Sequence, residues 1–360
     1  MAPEQQDRRR DRAAFLSAAG WSSADARPLA GDASTRSYER LTLGGKSALL
    51  MNAPPGAEAS ACPPDADPAL RRRLGYNALA RLAGPNMHAF LEIARALRAA
   101  GLSAPEVYAA EPETGFALIE DFGDALFARA IPAGADEITL YAGAIDALLA
   151  LAAAKPVPPR TPHYVMMTYD RLAMTAEAGL LTEWYWPFRK EKAPPTSVEA
   201  DYFAAWSTVL DALSPPSTMV LRDFHAENLL WLADRAGARR VGMIDFQDGL
   251  VGHAAYDLVS LLEDARRDVP EGLADAMIAR YCEGAAAIDE TAFRRDYAIL
   301  AAQRNAKILG IFARLVRRDG KPRYLEFMPR VEAHFRRDLT RPEVAPLRSF
   351  FLRHMPEMLA

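Results

Sequence analysis

The chain has 360 residues, half of them apolar, which is enough to bury a large core and to divide into two lobes. Its 43 Lys and Arg residues nearly balance 47 Asp and Glu, leaving a formal charge of -4. That balance gives no field favouring nucleic acid or an anionic membrane, so neither is an expected partner, and the chain is expected to be a monomer. Cys62 and Cys282 are too widely separated for a zinc cluster or a redox pair and read as ordinary thiols of a reducing cytoplasm.

In chain order, the Arg-rich start up to Ala19 reads as an amphipathic helix, too short and too interrupted for a signal segment. The segment RPLAGDASTRSYERLTLGGKSALLMNAPP predicts two or three antiparallel strands. Its GGKS is a hairpin turn, because Arg40 stands where a P-loop needs its first glycine. A Pro/Ala/Asp-rich surface loop through Asp67 and Pro68 precedes MHAFLEIARALRAAG, whose Met87, Phe90, Leu91, Ala94 and Leu97 have helical spacing. Two further strands follow, the second over 116–120, ahead of a turn at Gly123. From Glu137 onward the pattern is helical, including an Ala-heavy core segment from Tyr141 to Ala154, with one interrupting strand pair. The predicted fold class is α+β: an antiparallel-sheet lobe over 1–120 and a mainly helical lobe over 121–360.

The chemistry lies in TMVLRDFHAENLLWLADRAGARRVGMIDFQDG. A polar loop, Arg222 to Asn228, leads into one apolar run, and a second apolar run ends abruptly at Asp245. Phosphoryl transfer asks for alignment and charge neutralisation: a carboxylate to take the attacking hydroxyl's proton, and oxygen ligands to hold magnesium against the phosphates. The spacing D-x-x-x-x-N followed by I-D-F supplies them, with Asp223 as base and Asn228 and Asp245 as metal ligands, and implies ATP and Mg2+.

RDFHAENLLWL and IDFQDG resemble the catalytic loop and metal motif of the aminoglycoside phosphotransferase and choline kinase superfamily, and the resemblance runs over about residues 25–335. It implies a bilobal, protein-kinase-like fold, and it gives Asp257, in GHAAYDL, the task of bracing the catalytic loop. Adenine would meet the lobe connection near Glu120 and Phe122, and the loop holding Ser34, Thr35 and Arg36 would cover the phosphates. Two departures stand out. Leu221 and Arg222 replace the family's His-Gly before the base, and Met51 falls where kinases carry a phosphate-gripping lysine, leaving Arg36 or Lys46 as the nearest cations and Glu92 without its usual partner.

Within the superfamily the motifs look most like bacterial kinases that phosphorylate the anomeric hydroxyl of N-acetylmuramate and N-acetylglucosamine in peptidoglycan recycling. His225 either contacts substrate or hydrogen-bonds the turn; Glu227 contacts sugar hydroxyls or is solvated. Asp264 and Arg267 belong to a charged stretch that is either a solvated face or part of the acceptor site, where an arginine would suit the lactyl carboxylate. The aromatic cluster Trp184, Tyr185, Trp186 and Phe188 reads as core before sugar platform. A kinase of another small alcohol or an aminoglycoside, and a pseudokinase, remain the competing readings.

Overall fold

The computed structural model describes residues 3–29, 36–55, 62–286 and 288–360. Five strands build one antiparallel sheet: β1 (Asp25–Pro28), β2 (Ser37–Leu43), β3 (Lys46–Asn52), β4 (Val107–Glu111) and β5 (Phe116–Glu120), in the order β1-β2-β3-β5-β4. Gly44 and Gly45, at φ of 56° and 80°, make the tight turn between β2 and β3; positive φ at both positions is what glycine tolerates without a Cβ clash. Alternation sorts the side chains onto two faces. Leu41, Ala48, Leu50, Phe116 and Leu118 pack against Phe15 and Leu16 of the helix Pro3–Ala18. Met51, Ala117 and Ile119 point to the main core, where Phe90, Ile93 and Leu97 of the helix Met87–Ala99 meet them.

A short helix that the sequence reading did not anticipate starts where the surface loop ends: Asp67 accepts the Leu70 N–H at 2.7 Å and caps the helix Pro68–Leu74. The proline at its first turn sits where a helix needs no N–H.

The rest of the chain is largely helical. The Ala-rich helix Glu137–Ala154 buries Leu140, Tyr141, Ala144, Ile145, Leu148 and Leu151. At the centre runs the 28-residue helix Glu290–Arg317. Gly310 lets it approach the helix Arg171–Leu180, since a Cβ there would lie 2.4 Å from the Leu180 carbonyl group. Trp186 and Tyr185 are buried, and Trp186 lies 6.5 Å from Phe350, so the aromatic cluster contributes to the core.

Where one strand pair was expected, two occur. β7 (Leu229–Trp231) pairs with β8 (Val241–Met243), and β6 (Thr218–Val220) pairs with β9 (Leu250–Gly252). The second pair escaped notice because β6 and β9 are separated in the chain by the whole β7–β8 pair, so no run of neighbouring residues signals their pairing. Its consequence is positional: the β6–β7 loop and the β8–β9 loop are brought side by side, and the Ile244 N–H donates to the Asn228 carbonyl at 3.1 Å.

Candidate active site

Those two loops carry the expected groups into one cleft. Asp223, His225, Glu227, Asn228 and Asp245 line it together with Ala265, Arg266, Arg304, Lys307, Ile308, Ile311 and Phe312. Arg222 and Asp245 both adopt left-handed backbone, with φ of 70° and 58°. Non-glycine residues held there cost about 1–3 kcal/mol each and persist only where surrounding contacts fix them.

The fixing contacts are visible. Asp257, buried on the helix Ala255–Leu262, accepts the N–H groups of Leu221 at 2.7 Å and Arg222 at 2.9 Å. Burial pushes its carboxyl up to about 7, against the pull of these two donors. Ser260, one turn further along the helix, donates to the Arg222 carbonyl at 3.1 Å. The Arg222 side chain ion-pairs with fully buried Glu177, donates to the Ala80 carbonyl at 3.2 Å and lies over the Tyr169 ring. Glu177 also holds Lys307 at 3.0 Å. Burial raises the Glu177 carboxyl, and Arg222 and Lys307 more than offset this, so its pKa is lowered.

The same electrostatics reach Asp223. Burial raises the Asp223 carboxyl, but Lys307, His225, Arg222 and Arg304 together pull its pKa below the ordinary carboxylate value, so the group is ionised and ready to accept a proton. Burial and the neighbouring Asp223 charge raise Asp245, partly offset by Gln247 and Arg36. Its carboxyl is nonetheless 48% exposed in the cleft, where water screens that repulsion.

Two acidic side chains and an amide oxygen suit a hard divalent cation. The Asn228 Nδ2 group donates to the Asp223 carbonyl at 3.0 Å, which leaves Asn228 Oδ1 as the atom available to a metal. Asp245 Oδ1 accepts from Gln247 at 2.9 Å and faces Arg36 at 3.6 Å.

Other expected residues are placed as follows. Ser34 and Thr35 lie outside the described residues. Arg36 reaches Asp245, and beside it Tyr38 directs its hydroxyl at Met51 Sδ, 3.5 Å away. Met51 is buried in the core, Lys46 is exposed in the hairpin and Glu92 pairs with Arg95 at 2.7 Å. Of these cations, Arg36 is therefore the one that stands beside Asp245. The Glu120 N–H is spent on the Glu106 carbonyl at 2.8 Å, and its side chain pairs with Arg235 in a separate cleft. Phe122 packs beneath Arg235 and against Gly242.

The expectation for Asp264 and Arg267 needs correction. Asp264 is buried and accepts the backbone N–H groups of Ala226 at 3.3 Å and Arg266 at 2.9 Å, so it braces the loop. Arg267 turns to the Tyr141 hydroxyl at 2.8 Å and Glu137 at 2.7 Å and does not line the cleft. Its neighbour Arg266 does, held by Glu227 at 3.0 Å. His225 Nε2 lies 3.3 Å from Arg266 Nη1 and 3.4 Å from Asn228 Nδ2. Two donors at Nε2 assign the proton to Nδ1, and burial pushes the ring's pKa down to about 4, so it is neutral. Sequence reasoning missed Glu177, Arg304 and Lys307. Their signal was polar residues inside otherwise apolar helices, QRNAK within an Ala/Ile/Leu-rich run, which reads equally as a wet helix face.

A small antiparallel sheet, a helical body, and carboxylates on two adjacent loops define a kinase-like phosphotransferase. Residues 25–294 match the phosphotransferase enzyme family, and the chain belongs to it. Among solved structures it resembles a choline kinase from Streptococcus pneumoniae, at a TM-score of 0.56 and 11% identity, covering 91% of this chain and 99% of that one. Among curated proteins it is 46% identical to the N-acetylmuramate/N-acetylglucosamine kinase of Caulobacter vibrioides, over 97% of both chains. A protein of the same name from Pseudomonas aeruginosa is 31% identical, over 92% of this chain and 89% of that one.

Proposed function

We propose that the chain transfers the γ-phosphoryl group of ATP to the anomeric hydroxyl of N-acetylmuramate and N-acetylglucosamine, a step of peptidoglycan recycling. The observation that carries the reading is the convergence of Asp223, Asn228 and Asp245 in one cleft, in a chain 46% identical to a protein of that name.

The acceptor oxygen attacks the γ-phosphorus in line, the bond to the β,γ-bridging oxygen breaks, ADP leaves and the hydroxyl proton passes to an Asp223 carboxylate oxygen. Asp257 and Ser260 hold the loop on which Asp223 stands, so the base needs no reorganisation as the reaction proceeds. Asn228 and Asp245 would hold magnesium, which when bound neutralises phosphate charge. Arg36 takes the place of the absent β3 lysine as the cation for the phosphates; its guanidinium already stands beside Asp245. Arg304, buried in the cleft lining without a carboxylate at ion-pair distance among the described residues, disfavours a polycationic aminoglycoside as acceptor.

The test is ADP release on mixing ATP and magnesium with a panel of sugars, choline and aminoglycosides, with 31P NMR to identify the phosphorylated carbon. Turnover with the two amino sugars, giving 1-phosphates, is expected. Turnover confined to another alcohol would reject the acceptor assignment, and none with any acceptor would favour a nucleotide-binding pseudokinase.

A further inference from the structure

We propose that Arg304 is the receptor for an acceptor carboxylate and so separates N-acetylmuramate, whose lactyl ether carries one, from N-acetylglucosamine, which has none. The inference rests on the acceptor assignment above and goes further, to the residue that distinguishes the two sugars.

Four cationic side chains stand at or beside the site, and three have a carboxylate at ion-pair distance, whereas Arg304 meets the charges of Asp223 and Asp257 only at longer range among the described residues. Arg36 faces Asp245 at 3.6 Å, Arg266 faces Glu227 at 3.0 Å, and Lys307 faces Glu177 at 3.0 Å with the Tyr256 hydroxyl at 3.3 Å. Arg304 differs. It is 5% exposed, and its Nη2 donates to the neutral Ser260 hydroxyl at 2.9 Å. Its Nη1 is buried without a hydrogen-bond partner among the described residues. A guanidinium carries five donors in a planar fork suited to a carboxylate, and a buried charged donor left unmatched is costly. Here one lines the cleft that holds Asp223.

The surroundings favour a sugar acid over a nucleotide phosphate. Ile308, Ile311 and Phe312 share the cleft wall with Arg304, all on the helix Glu290–Arg317. An apolar wall beside one cation suits a ligand with a carbon-rich body and a single anionic arm, such as a pyranose with acetyl and lactyl groups. A triphosphate instead needs several donors and a metal, which the Asn228, Asp245 and Arg36 side of the site supplies. Arg267, the arginine favoured from sequence, is committed to Tyr141 and Glu137. Arg304 has a second candidate task, since Ser260 also donates to the Arg222 carbonyl at 3.1 Å and the arginine could thereby brace the catalytic loop. A loop brace would act on every acceptor alike, which separates the two tasks.

The experiment measures kcat/KM of the full chain for N-acetylmuramate, its lactyl methyl ester and N-acetylglucosamine, in wild type, Arg304→Gln and Arg304→Lys. In wild type, esterification is expected to cost about 10- to 100-fold, the range of a hydrogen bond between charged groups. Because Arg304 also helps keep Asp223 ionised, Arg304→Gln is expected to slow all three acceptors to a common extent and to lose the same 10- to 100-fold factor in addition on the acid alone, so that the acid-to-ester ratio falls to about 1, with Arg304→Lys restoring part of that ratio. Equal losses on all three acceptors would overturn the proposal in favour of loop bracing, and so would a wild type indifferent to esterification. If Arg304→Gln fails to fold by thermal melting, the wild-type ester comparison and Arg304→Lys decide. A wild type that phosphorylates neither sugar would refute the acceptor assignment itself, which is a different result from lost selectivity.

Discussion

The buried pair between Arg222 and Glu177 allows a sharp perturbation, because its members are not equivalent. Glu177 is fully buried and neutralises two cations, Arg222 at 2% exposure and Lys307 at 13%, whereas Arg222 has Glu177 as its ion-pair partner. Glu177→Gln therefore strands buried positive charge, at a cost of about 3–5 kcal/mol. Arg222→Met keeps the length of the side chain and the left-handed backbone, and leaves Glu177 paired with Lys307, so roughly half that cost is expected. In the double variant the two losses should not add, since each single change already destroys the same pair. Urea unfolding reads the order directly: midpoints fall at unchanged slope, furthest for Glu177→Gln. Because the Glu177 pKa is lowered on folding, its contribution is present above the ordinary value of 4.5 and fades as pH falls below it. The gap between wild type and Glu177→Gln should accordingly narrow in acid. The reasoning fails if Glu177→Gln is as stable as wild type, or if Arg222→Met is the more damaging change.

Further outcomes follow from the contacts around the base and the phosphates. Asp257→Asn turns an amide NH2 toward one of two backbone N–H donors, so kcat should fall by about 100-fold or more, corresponding to roughly 3 kcal/mol of lost positioning; unchanged steady-state kinetics would remove Asp257 from the loop's support. Arg36→Met should raise KM for ATP by about 10-fold with KM for the sugar little changed, whereas Lys46→Met should leave both unaltered, which initial-rate kinetics in both substrates will show. Asp245→Asn, or chelation of magnesium with EDTA, should abolish turnover, and in the wild type excess magnesium should restore it. Activity persisting in EDTA would remove the metal from the scheme.

What the sequence made legible was local. A polar loop carrying Asp223 and Asn228 between two short apolar runs, a further run ending at Asp245, and a glycine pair between two strands are patterns of neighbouring residues, and the structure brings the two loops into one cleft and makes the glycine pair a hairpin turn. What remained hidden depends on residues far apart in the chain. Glu177 meets Arg222 across 45 positions, and Arg304 reaches Ser260 across 44. A buried glutamate on an Ala-rich helix has no spacing signature; the close approach of two helices at Gly310 brings it to Lys307, and the fold of the β6–β7 loop brings it to Arg222. The charged stretch after Asp257 shows the same limit at shorter range, because Arg266 and Arg267 are adjacent and face different neighbours. Met51 reads as a lost function from sequence alone, and becomes a packing residue once Arg36 is seen beside Asp245.

The claim beneath all of this is that Asp223 takes the acceptor's proton. Single-turnover phosphorylation by Asp223→Asn, with nucleotide affinity measured in parallel by calorimetry, addresses it most directly. Near-native affinity for magnesium and ATP is expected, with the transfer rate reduced by about 100-fold or more. Transfer at the wild-type rate would contradict the assignment and require another base.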